Sequence, residues 1–195
     1  MTDEFKTIKD KSEGSYSELR SKFLAFAHHV TTVEEAIALV EQYQKKYYDA
    51  RHVCWAYMIG PERETFRSND NGEPSGTAGK PILGQINSNE LTDIIILVVR
   101  YFGGVKLGTS GLIVAYKTAA AEAIANAQIE SRTVDEEYTF SFEYPLMNSV
   151  MKVARDMDAR IVSQSYDMDC KMTLSIRKGK MQELQEKVKK ALSPF

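Results

Sequence analysis

Six consecutive apolar residues, Ile94 to Val99, run straight into an arginine, and after Tyr101 and Phe102 the chain turns on a glycine pair. The run is rich in β-branched side chains and far shorter than the roughly 20 residues a membrane helix needs. Asp93 to Phe102 therefore reads as a central strand buried on both faces. Gly103-Gly104 breaks it. From Ser110 to Asn126 the chain is Ala-rich and periodic, which predicts a helix. Any fold must cover that strand on both sides and must accommodate a glycine-rich strand-to-helix junction at one end of it.

The preceding residues supply candidates for the cover. Lys22 to Val30 (KFLAFAHHV) suggests a second two-sided strand. Thr32 and Glu35 have capping-box spacing, and Val33, Ile37, Val40 and Tyr47 behind them recur on one helical face. His52 to Ile59 reads as a strand closed by the turn Gly60-Pro61, with Glu64 to Ser68 as its hairpin partner. Asn69 to Gly79 is a loop, and Lys80 to Ile86 a short helix that tolerates a proline in its first turn.

A second unit is expected to begin near Ser131, so that the chain divides into residues 1–131 and 132–195. Val134 to Tyr144 alternates as a strand. Pro145 to Met157 is helical, with Leu146, Val150 and Val153 or Ala154 on one face. Arg160 to Tyr166 and Lys171 to Arg177 read as strands around an Asp-rich turn. Lys180 to Leu192 is an amphipathic helix carrying Leu184, Val188 and Leu192. The order β-α-β-β-α is most of a ferredoxin-like split unit, so the fold class is α+β.

Composition narrows the function classes. The 195 residues are 43% hydrophobic and 27% charged, with a formal net charge of −2, which suits globular domains and gives no basic surplus of the kind a dedicated DNA binder carries. Nucleic-acid contact would have to use a local basic patch. The two cysteines, Cys54 and Cys170, are far apart and fit a reducing compartment. Met1 to Lys11 is polar and lacks the apolar core of a secretory signal. The expectation is a soluble, cytoplasmic protein with no membrane contact.

Two stretches carry more polar and glycine residues than folding requires. The first is Asn69 to Leu83, with Glu73, Ser75, Thr77 and Lys80 among three glycines and two prolines. Glycine backbones approach ligands closely, and free amides near a helix start favour anions. A nucleoside-triphosphate loop is excluded, because Pro81 follows Gly79-Lys80 and Pro74 stands where the first glycine belongs. The second is Arg100 to Gly111, with Arg100, Lys106, Thr109 and Ser110 around four glycines at a helix N-terminus. No dinucleotide fingerprint fits there. His52 and Cys54 share a strand face, and His28 and His29 lie upstream. Without a further His or Cys cluster they do not make a zinc set. No cofactor is implied.

At these stretches the sequence resembles the YigZ/IMPACT family. The matching residues are DARHVCWAY at 49–57, NGEPSGTAGKPIL within 68–83 and VRYFGGVKLGTSGL at 99–112, three long motifs in order. Arg51 stands where the family pattern leads one to expect a smaller polar residue. The resemblance implies an N-terminal domain of the ribosomal protein S5 domain 2-like type. It implies a ferredoxin-like C-terminal domain similar to domain V of the translocation elongation factor (elongation factor G), as in bacterial members. Eukaryotic members look like translational regulators, and for bacterial members nucleic-acid or ribosome binding is the implied role.

Two readings of function follow. In the first, the protein is a non-enzymatic binding or regulatory protein that contacts RNA, the ribosome or a translation-regulatory partner. Its contact residues would be His52, Trp55, Glu73, Ser75, Thr77, Lys80, Arg100, Lys106, Thr109 and Ser110, with a phosphate or other anion at the glycine-rich loops. Trp55 would stack on a base or sit in the core. In the second, the same loops form an enzyme site for a phosphorylated or nucleotide substrate. Glu73 or His52 would then be acid or base, Ser75 or Thr77 a hydroxyl contact, and Lys80 and Arg100 the phosphate clamps. Both require the segments around Gly76 and Gly104 to share one concave surface.

Overall fold

The computed structural model describes residues 3–166 and 169–193. Its elements, in order, are β1 (Glu4–Ile8), β2 (Ser12–Glu18), β3 (Ser21–His29), α1 (Val33–Lys46), β4 (His52–Ile59), β5 (Thr65–Asn69), α2 (Gly79–Ser88), β6 (Ile94–Tyr101), α3 (Gly108–Ala125), β7 (Ile129–Thr133), β8 (Asp135–Phe142), α4 (Met147–Asp156), β9 (Arg160–Tyr166), β10 (Cys170–Arg177) and α5 (Met181–Leu192). They form two compact units. One is Phe5–Arg132; the other comprises the described parts of Met1–Glu4 and Thr133–Phe195.

In the first unit the apolar run is the middle strand of a five-stranded sheet, ordered β2-β3-β6-β4-β5, and every neighbouring pair is antiparallel. All six side chains from Ile94 to Val99 are fully buried, each worth about 1.5–3 kcal/mol of transfer free energy. They alternate between two cores. Ile94, Ile96 and Val98 pack with α2 and α3, whereas Ile95, Leu97 and Val99 pack with α1. The sheet is thus sandwiched between helices, which is why its central strands lack a polar face.

Local chemistry sets the helix ends. Thr32 caps α1 by accepting from the Glu35 amide, and Glu35 reaches back to the amide of Thr32, as the capping-box spacing predicts. Tyr43 is buried on α1 beside Val40, and Val33, Ile37 and Tyr47 pack around them. Helix α3 begins at Gly108, two residues earlier than the Ala-rich pattern suggests.

Strand β2, which sequence patterning does not reveal, is held by backbone proximity. A side chain at Gly14 would collide with the Ala123 amide of α3, and Ser12 donates to the Ala123 carbonyl at 2.8 Å. Strands β1 and β7 pair as a two-stranded ribbon.

The second unit is an antiparallel sheet, β8-β10-β9, covered on one face by α4 and α5. Val150, Ala154, Leu184 and Val188 pack there on Phe140, Phe142, Met172 and Leu174. A 3₁₀ turn, Tyr144–Leu146, leads into α4. The Asp-rich turn expected between β9 and β10 includes residues 167 and 168, which lie outside the described residues. No helix among the described residues is long and apolar enough to cross a membrane.

Candidate functional site

Strand register builds the site. Arg100 on β6 lies opposite Phe23 of β3 and His52 of β4, so the three residues form one row across the sheet. The row is near the end of the sheet, just before the glycine junction. The Arg100 guanidinium lies over the rings of both Phe23 and Phe102, at 5.6 and 5.5 Å. Gly103 makes this junction possible, because a Cβ there would strike the backbone of Arg20.

Glu73, from the loop between β5 and α2, closes over the row. Its carboxylate accepts from Arg100 Nη1 at 2.6 Å and from the Tyr116 hydroxyl of α3 at 2.7 Å. His52 Nε2 stands 3.7 Å from its other oxygen. The Glu73 and Arg100 side chains are only 3% and 7% exposed. The pair is therefore a buried, hydrogen-bonded ion pair and not a solvent-facing clamp. His52 Nδ1 lies 2.7 Å from the Asn71 carbonyl; a carbonyl only accepts, so this nitrogen carries its proton. The guanidinium is not saturated. Arg100 Nε is buried and has no hydrogen-bond partner among the described residues, which costs about 1–3 kcal/mol in a water-excluded setting.

Above this row lies a cleft of about 410 Å³. Glu73 and Pro74 reach it from the first glycine-rich loop. Lys106, Gly108 and Thr109 reach it from the second, and Arg51, His52 and Arg100 from the sheet. The two segments expected to share a surface therefore meet. No side chain among the described residues caps α3, and the amides of its first turn, which have no intrahelical acceptor, point their partial positive charge outward. Against the single Glu73 carboxylate, already paired with Arg100, stand Arg51, Lys106 and the α3 N-terminus.

The first loop does not work as sequence suggests. Its free amides are already taken. Asp70 accepts from the backbone amides of Gly76, Ala78 and Gly79 at 2.8, 3.1 and 2.8 Å. An internal carboxylate thus fills the anion position at the α2 N-terminus. Burial pushes the Asp70 carboxyl up, but those three amides and the Lys80 ammonium outweigh it and hold it below the ordinary carboxylate range.

The remaining expected contacts divide accordingly. Thr77 is buried and its hydroxyl donates to the Pro74 carbonyl, so it is a structural turn residue. Ser75, Lys80 and Ser110 are exposed but do not line the cleft. Trp55 does not present a stacking face. It is 5% exposed, stacks on Tyr57 with ring centroids 5.7 Å apart, and packs in the α1-side core. Strand alternation puts it on the face opposite His52. Cys54 shares the His52 face but is fully buried; burial pushes its thiol far up, so it is no nucleophile.

Sequence reasoning missed Asp70, Arg51, Phe102 and Tyr116. Phe102 lies two residues beyond Arg100, the spacing that puts it on the Arg100 side, whereas Arg51 precedes β4 and no periodic signal marks it. Tyr116 and Asp70 act through tertiary contacts with no local signature. Among the described residues no three His, Cys, Asp or Glu side chains converge as a metal set.

The chain was compared with known proteins on this basis. Residues 19–124 match the family model described as the Impact N-terminal domain. The Escherichia coli IMPACT family member YigZ is 32% identical over 171 residues, covering 87% of this chain and 84% of that protein. A Thermus thermophilus IMPACT family member is 40% identical over 136 residues, covering 70% and 73%. A solved crystal structure described as that of a hypothetical protein superposes with a TM-score of 0.74 at 29% identity, over 97% of this chain and 93% of that one.

Proposed function

We propose that this chain, which belongs to the IMPACT family, works in the cytoplasm as a non-enzymatic binding protein of the translation apparatus. Its partner is RNA, presented alone or by the ribosome, and the contact is the cleft between the two glycine-rich segments. The observation that carries this reading is the meeting of Arg51, Lys106 and the uncapped α3 N-terminus around one concave surface. Such a surface suits phosphate oxygens. The translation setting comes from the family resemblance, in which eukaryotic members look like translational regulators. The same resemblance supports an S5-second-domain type for residues 1–131 and an elongation-factor-like ferredoxin unit for 132–195.

A binding role is supported over a catalytic one by the state of the reactive groups. Glu73 is committed to Arg100 and Tyr116, and Cys54 is held as a buried thiol. Cys54 is therefore no nucleophile, and Glu73 Oε1 is taken up by the fold.

The test is a filter or fluorescence titration of the full chain against ribosomes and short RNA at increasing salt. The logarithm of affinity should fall linearly with that of salt concentration. Lys106→Ala should reduce the slope by about one phosphate contact. Lys80→Ala, outside the cleft, should leave it unchanged. Affinity that ignores both salt and Lys106→Ala overturns the RNA reading, and a translation-regulatory protein with an acidic face then becomes the partner.

A further inference from the structure

We infer that the cleft receives a terminal phosphate, a phosphate monoester of an organic molecule, in preference to the internal phosphodiesters of a nucleic-acid strand. This rests on reading the cleft as a binding site and names the group that enters it.

Charge is the first argument. The Glu73 carboxylate is neutralised within the fold by Arg100. What faces an incoming ligand is therefore the pair of full cations Arg51 and Lys106 and the amide end of α3. Two cations and a helix end match a dianion better than the single charge of a diester. A monoester is that dianion near neutral pH; an internal phosphate in a strand is not.

The second argument does not depend on the helix end. Arg100 lines the cleft, is more than nine-tenths buried, and keeps Nε without an acceptor. Among the described residues Glu73 is the one side-chain acceptor for this guanidinium, and Nε is left without a partner. A buried polar group left this way asks for an explanation, and a ligand oxygen at the cleft floor supplies one. At the α2 N-terminus the corresponding amides are filled from within by Asp70. In the cleft Glu73 takes only the Nη1 side of Arg100, and among the described residues no side chain accepts from Arg100 Nε or caps α3.

Size and walls give the third. The cavity, about 410 Å³, falls in the range of small-molecule sites, roughly 300–1,000 Å³. Inorganic phosphate would leave most of it empty. Leu107, Leu112, Pro74 and the 45%-exposed ring of Phe102 provide apolar surface beside the cations. That surface would cover the organic part of the ester. A free nucleoside monophosphate and the 5′-phosphorylated end of an RNA both offer this chemistry.

The experiment is an amide-resolved NMR titration of the full chain. The probes are adenosine 5′-monophosphate, its 5′-methyl diester, adenosine, and a tetranucleotide RNA with and without a 5′-phosphate. The monophosphate should shift the amides of Gly108 to Gly111 saturably, and the diester should bind at least about tenfold more weakly, the worth of one charge-assisted hydrogen bond. Adenosine should do nothing. If the 5′-phosphorylated RNA binds and its hydroxyl form does not, the source is an RNA end; if only the mononucleotide binds, the source is a free metabolite. Lys106→Glu should abolish the shifts, and Lys80→Ala should preserve them. Equal binding of monoester and diester, or shifts that survive Lys106→Glu, overturn the inference. Absence of any monophosphate response while ribosome or RNA binding persists overturns the inference and leaves the proposed function standing. A monophosphate response in a protein that binds neither ribosomes nor RNA does the opposite.

Discussion

Asp70 does within this fold what an external anion does in a phosphate-binding loop. One carboxylate gathers three backbone amides at the start of α2, and its proton affinity is lowered as a result. Because the folded value lies below the unfolded one of 3.8, the contribution is fully present above about pH 5 and is lost as pH falls through the folded value. Asp70→Asn should cost about 1–3 kcal/mol at pH 7. Denaturant titrations at pH 7 and pH 3 should show the difference between the two proteins shrinking at the lower pH. A constant difference would mean that the charge is not what holds the loop. From sequence the glycines and Lys80 point to a bound ligand anion here, whereas the amides are filled by a carboxylate of the chain itself. That the anion is Asp70 could not be read, because an aspartate inside an Asn-Gly turn looks like any turn-former.

At the scale of elements, alternation and helical period located the strands and helices that carry most of the buried apolar side chains, including the central β6 and the capped α1. They failed for β1, β2 and β7. β2 (SEGSYSE) is secured by a close backbone approach at Gly14 and by Ser12, β7 alternates between exposed and half-buried residues, and β1 buries Thr7 and Ile8 side by side without alternation. The same distinction between packing and patterning separates two glycines of α2. A Cβ at Gly79 would come within 2.7 Å of the Asn69 amide nitrogen and 3.0 Å of its carbonyl carbon, whereas one at Gly84 meets nothing within 4 Å. Gly79→Ala should therefore destabilise by about 1–3 kcal/mol through overpacking. Gly84→Ala should stabilise by about 0.5–1 kcal/mol through helix propensity. Paired urea melts measure both; equal effects at the two positions would refute the packing account. The cleft follows the same rule. Strand register, which no sequence pattern announced, brought His52 and Arg100 together, and alternation along β4 sent Trp55 to the other core. Sequence alone gave no account of which face of β4 the ligand would see.

At the scale of the molecule, the chain passes between its units twice, between Glu4 and Phe5 in β1 and between Arg132 and Thr133 in β7. Those two strands pair with each other. Asp3 is bound within the second unit. Both its oxygens accept from Arg177, each at 2.7 Å, and one also accepts from the Gly179 amide. The Arg177 side chain, through its hydrogen bonds, lowers the Asp3 carboxyl to a pKa of about 2. Asp3→Ala should accelerate hydrogen exchange in β10 and α5 while leaving β6 amides unchanged. Slowed or unaltered exchange in β10 would show that this clamp is dispensable.

That clamp makes order of synthesis differ from order of assembly. Asp3 leaves the ribosome well before Arg177 and Gly179, so it waits for their synthesis before it can be bound. A fluorophore or affinity tag placed ahead of Asp3 would report on the carboxy-terminal module. Cutting after residue 131 would release a fragment in which Asp3 has lost both of its donor residues.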